Sequence, residues 1–152
     1  MSTLSPAVHL LFPLVAGETH LVIPLEETVL SAALKPASDR SQRLIVFVHG
    51  AASNASRWEE FVDTTALSQR WTLVRFDLRG HGASPARRPG RLENYADDIA
   101  AVIGAAGAHG PIVVVGHSLG AAAALVFAKR FPHIVNGLVL ICLLYTSPSP
   151  RD

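Results

Sequence analysis

The chain has 152 residues, 49% of them hydrophobic and 16% charged, with a net charge of +1. That balance suits one apolar-rich globular domain and excludes a disordered segment. Acidic and basic residues are interspersed, which argues against a nucleic-acid partner and for a small-molecule substrate. The single cysteine, Cys142, provides neither a disulfide framework nor a thiolate metal site.

Ala7 to Ala16 is apolar, but no Lys or Arg precedes it and Pro6 and Pro13 interrupt it, so a signal peptide is not expected. No run approaches the roughly 18 apolar residues needed to cross a bilayer, and a cytoplasmic protein that does not enter the membrane is expected. Thr19 to Pro24 and Thr28 to Leu34 read as two strands joined across Glu26 and Glu27, an antiparallel start to a sheet. Leu44 to Val48 is a continuous apolar run ending at His49-Gly50, the pattern of a central parallel strand covered on both faces.

Ser56 with Glu59 three residues later forms a capping box, which predicts a helix starting near Arg57 with Trp58, Phe61 and Val62 turned inward. Trp71 to Asp77 is the next strand, and Gly80, Gly82, Pro85, Pro89 and Gly90 mark a long turn region. Asn94 is placed to cap a helix with Asp97 and Asp98 in its first turn and Tyr95, Ile99, Val102 and Ile103 on its inner stripe. Gly104 and Gly107 end it. Pro111 to Gly116 gives a further strand, Leu119 to Arg130 a helix stopped by Phe131-Pro132, and Val135 to Ile141 a last strand. Strands alternating with helices build a mostly parallel sheet with helices on both faces, an α/β fold.

The chemistry gathers at Gly116-His117-Ser118-Leu119-Gly120. A serine hydroxyl is a weak nucleophile at neutral pH, so it must be exposed, set beside a base and faced by donors for an oxyanion. A sharp turn from strand to helix supplies the exposure, and the amino end of the following helix supplies N–H groups and positive potential. Here the five residues follow Ile-Val-Val-Val and precede Ala-Ala-Ala-Ala-Leu, the context that such an elbow requires. Gly116 and Gly120 remove side chains that would collide there.

Three segments in this order resemble signatures of the α/β-hydrolase fold family. Val48-His49-Gly50-Ala51 is similar to its oxyanion loop, Asp77-Leu-Arg-Gly-His-Gly-Ala-Ser84 to the loop after the next strand, and Gly116 to Gly120 to its nucleophile elbow. The resemblance implies Ser118 as nucleophile and the backbone N–H groups of Ala51 and Leu119 as the oxyanion hole. It implies supporting roles for His49, Gly50, Gly116, His117 and Gly120. Asp77, Arg79, Gly80, Gly82 and Ser84 are expected to shape their loop. His9, His20, His81, His109 and His133 fall in no metal-ligand spacing, and no metal or organic cofactor is expected.

The expected reaction is hydrolysis of a carboxylic ester, lactone or related acyl compound through an acyl-serine intermediate. An acyltransferase, a carbon–carbon bond hydrolase and a non-catalytic small-molecule-binding protein of the same fold are the alternatives. In this fold the acid and then the histidine of the triad follow the serine in the chain. Residues 142–152 match, residue for residue, one reading frame of a transposase adapter used to prepare sequencing libraries. Residues 1–141 are therefore expected to be an incomplete α/β-hydrolase domain and 142–152 a non-native tail, with the acid and histidine encoded beyond Ile141. The fragment is expected to be inactive.

Overall fold

A computed structural model describes residues 12–143. Six strands form one sheet: β1 (Thr19–Pro24), β2 (Val29–Lys35), β3 (Leu44–Val48), β4 (Thr72–Phe76), β5 (Ile112–His117) and β6 (Gly137–Ile141), in spatial order β1-β2-β4-β3-β5-β6. The β1–β2 hairpin is antiparallel and joins β4 antiparallel, while β4, β3, β5 and β6 run parallel. The helices are α1 (Glu59–Thr64), α2 (Leu92–Ala106) and α3 (Leu119–Arg130).

Side chains of β3 alternate between two cores, as a strand covered on both faces must. Leu44, Val46 and Val48 join Ile99, Val102, Ala123 and Phe127 under α2 and α3, whereas Ile45 and Phe47 pack with Trp58, Val62 and Leu73 on the α1 side. The inner stripe expected for α2 is buried as read, and Gly107 closes that helix in the left-handed region at φ 66°.

The caps differ from expectation. Before α1 a 3-10 turn spans Ala55–Trp58, and its cap is Asn54, whose Oδ1 accepts the Ser56 N–H at 2.9 Å, not a Ser56–Glu59 box. Trp58 is buried against Phe47 as anticipated, but Phe61 is exposed and reaches Phe47 only edge-on. Asn94 is the third residue of α2 and bonds back to the Arg91 N–H at 2.9 Å, so the cap position belongs to Arg91. Asp97 and Asp98 lie beyond the first turn and are held by Arg130 and Arg79. Thr28 precedes β2, and β6 starts at Gly137, because Asn136 brackets Ile112 through its backbone N–H and its Oδ1.

The adapter-like segment falls mostly outside the described residues; of it, Cys142 and Leu143 are exposed. Among the described residues no helix is long and apolar enough to cross a membrane.

Candidate active site

Ser118 stands between β5 and α3 with φ 53° and ψ −112°. A non-glycine residue in that region is strained by roughly 1–3 kcal/mol and persists only where its surroundings force it. The forcing contacts are visible. The Ser118 N–H bonds the Ile141 carbonyl at 2.9 Å, while the Ser118 carbonyl accepts from Ala121 and Ala122 in the first turn of α3. A methyl on Gly120 would lie 2.5 Å from the His49 carbonyl oxygen, and one on Gly116 would lie 2.6 Å from the Gly120 carbonyl carbon. The crossing of β5 into α3 beneath β3 therefore excludes any side chain at either glycine.

Gly50 brings the loop after β3 alongside: its missing side chain would meet the Ser118 Cβ at 3.3 Å and the His117 Nδ1 at 3.1 Å. The elbow and the His49–Ala51 segment thus share one end of the sheet. Leu119 opens α3, where helical geometry leaves its N–H without an intrahelical acceptor. Among the described residues the exposed Ala51 bonds no backbone carbonyl through its N–H. His117 shares a face of β5 with Val113 and Val115, and its Nδ1 is buried without a hydrogen-bond partner among the described residues.

His49 is fully buried and bridges two loops. Its Nε2 accepts the Leu78 N–H at 3.0 Å, so the ring proton sits on Nδ1, which donates to the Gly50 carbonyl at 2.7 Å. Burial is the main reason its pKa drops from 6.5 to about 4, and the ring is a neutral strut at neutral pH. Asp77 makes a second tie, accepting Ala55 N–H at 2.7 Å and Ala83 N–H at 2.8 Å, with burial raising its pKa. Arg79 closes on Asp98 through Nε at 2.9 Å and Nη2 at 2.6 Å. Gly80 and Gly82 take positive φ, and the buried Ser84 Oγ accepts the Ser31 N–H at 2.9 Å.

The family model for the alpha/beta hydrolase fold matches residues 43–152. The chain belongs to the α/β-hydrolase fold family. A 2-(acetamidomethylene)succinate hydrolase of Mesorhizobium japonicum is 40% identical over 99 residues, which are 64% of this chain and 34% of that protein. A pimeloyl-[acyl-carrier protein] methyl ester esterase of Methylococcus capsulatus is 38% identical over 98 residues, 64% of this chain and 36% of that protein. Among solved structures, E-2-(acetamidomethylene)succinate hydrolase superposes with a TM-score of 0.70 at 31% identity, over 87% of this chain and 46% of that one. The matched part thus spans about a third of the curated relatives' length.

Among the described residues of this α/β-hydrolase domain the remaining histidines do not join the elbow; His9 lies outside the described residues. After Ser118 only His133 is available among described residues, exposed beyond the far end of α3. Twelve helical residues carry the chain about 18 Å from Ser118 before it. His20 lies on the hairpin, with its Nε2 against the Phe12 carbonyl, and His109 precedes β5 at the opposite end. The His81 ring centroid lies 5.0 Å from that of His49, with the two rings tilted by 60°. No group of three His, Cys, Asp or Glu among the described residues could hold a metal ion.

Sequence reasoning missed one supporting element: Arg75, in the middle of β4, is buried beside the equally buried Glu18 with two 2.8 Å bonds. It also reaches the Ala55 and Pro13 carbonyls, so it anchors the chain entering the α1 side. Arg75 shares a face of β4 with Leu73, which packs on the α1 side, and its partner lies 57 residues away in the chain.

Proposed function

We propose that the whole protein is a serine hydrolase acting on a carboxylic ester, lactone or related acyl compound, with Ser118 as nucleophile. The observation that carries the reading is the strained backbone of Ser118, φ 53°, held at the mouth of α3 with Gly50 pressed against its side chain. Ser118 Oγ attacks the acyl carbon and loses its proton to a general base. The tetrahedral oxyanion is received by the N–H groups of Ala51 and Leu119. Collapse expels the alcohol, which takes a proton, and water then hydrolyses the acyl-serine.

His49, Gly50, Gly116, His117 and Gly120 support the elbow and the oxyanion loop without touching the reacting atoms. The names of the two curated relatives, one a hydrolase and one a methyl ester esterase, agree with this chemistry. The reading includes a small-molecule substrate, no cofactor and a cytoplasmic setting. It assigns the triad acid and histidine to residues encoded past Ile141, with 142–152 as foreign sequence.

The test is to read the source DNA outward from the Ile141 codon, express the protein so recovered, and label it with a fluorophosphonate. A single adduct at Ser118, absent from Ser118→Ala, is expected, along with little or no ester turnover by the 152-residue chain. An adduct that survives in Ser118→Ala, or a reading frame lacking a downstream acid and histidine, overturns the proposal.

A further inference from the structure

A cleft of about 710 Å³ opens between the β1–β2 turn and the loop leading into α2, a volume in the range of small-molecule sites. Its charged lining is Glu26, Glu27, Arg79, Arg87, Arg88 and Arg91. Because β2 is antiparallel to β4, with Ala32 opposite Phe76, the β1–β2 turn lies at the carboxyl ends of the parallel strands, the end that also carries Ser118. The walls are tied together: the Thr28 hydroxyl donates to the Pro85 carbonyl, Ser31 N–H to Ser84 Oγ, and Arg91 N–H to Asn94 Oδ1.

The six charges are not equivalent. Arg79 is committed to Asp98, and Asp98 first, with Glu27 at longer range, favours its charged form. Arg87, Arg88 and Arg91 are exposed and enter no ion pair among the described residues. With Glu27 near the Arg79 pair, three uncommitted guanidinium groups stand against the single carboxylate of Glu26. Planar guanidinium groups recognise carboxylate and phosphate through paired hydrogen bonds.

We propose that this cleft binds the carboxylate or phosphate group of a small organic anion, held by Arg87, Arg88 and Arg91. The two glutamates at the hairpin turn repel an extended polyanion and leave room for one acidic group. The lining of the cleft includes no residue of the elbow or of the His49–Ala51 segment. The site is therefore separate from the nucleophile elbow, and the proposal does not depend on the reaction assigned to Ser118.

Isothermal titration of the intact protein with succinate and, separately, with inorganic phosphate at matched ionic strength tests the site. Wild type and Arg57→Gln, changed at an exposed arginine outside the cleft, are expected to bind at least one of the two anions equally well. Arg87→Gln/Arg88→Gln and Arg91→Gln should bind at least tenfold more weakly. Succinate alone identifies a carboxylate site and phosphate alone a phosphate-ester site. Failure of both anions to bind wild type, or equal binding by the cleft variants, overturns the proposal.

Discussion

Replacing Glu18 with Gln should expose how much the domain depends on one buried ion pair. Arg75 and Glu18 have side-chain exposures of 1% and 0%, and the carboxylate receives two 2.8 Å bonds from the guanidinium. Removing one partner of such a pair leaves an uncompensated buried charge, at a cost of roughly 3–5 kcal/mol. Arg75 keeps the Pro13 carbonyl at 2.7 Å, the Ala55 carbonyl at 3.1 Å and Glu59 at 3.6 Å, which favours the lower end, about 3 kcal/mol. For a domain of this size each kcal/mol moves the unfolding midpoint by about 2–4 °C, so a drop of about 6–12 °C is expected. Circular dichroism, with Trp58 and Trp71 fluorescence as a second probe, reads the transition. Glu18→Leu/Arg75→Met, which removes both charges and fills the space with apolar atoms, should recover most of the loss. A shift under about 2 °C for Glu18→Gln, or a double variant as unstable as the single one, would refute the reasoning.

Stability should also depend on His49. The folded ring protonates near pH 4 and the unfolded one near 6.5, so the unfolded state holds more protons between these values. Stability then falls as pH drops from 6.5 to 4, by on the order of 3 kcal/mol, and urea midpoints of wild type and His49→Gln should diverge in that window; parallel profiles would count against a buried neutral ring. Gly120→Ala should cost about 3 kcal/mol or more, since its methyl has nowhere to go. Gly104→Ala, which meets nothing within 4 Å inside α2, should gain about 0.5–1 kcal/mol in the same urea titration. Val139 is 46% exposed on the edge strand β6, and Val139→Lys should reduce concentration-dependent association in sedimentation velocity.

Long apolar runs made the sheet legible. Leu44 to Val48 and Leu119 to Arg130 occupy the elements expected of them because burial on both faces and an uninterrupted helical run each leave one solution. Helix starts were less legible, since Asn54 and Ser56, or Arg91 and Asn94, offer competing cap chemistry within three residues and tertiary contacts choose between them. Asp98, expected in the first turn of its helix, lies beyond it and is drawn inward by Arg79, a partner 19 residues away. The elbow was readable because its glycines, serine and flanking elements are contiguous. The Arg75–Glu18 pair and the arginine cleft join segments far apart in the chain, which periodicity does not encode.

The bonds from Asp77 to Ala55 and Ala83, and from His49 to Leu78, fasten loops belonging to different strand–helix units. Length changes between Gly50 and Ala55, or between Asp77 and Ser84, would pull directly on the segment beside Ser118. The stretch from Pro85 to Arg91 is largely exposed, and insertions there would spare that bracing. Diversification by loop grafting, whether by evolution or by design, therefore has a splice point after Ser84 that spares the elbow and remodels the arginine cleft instead.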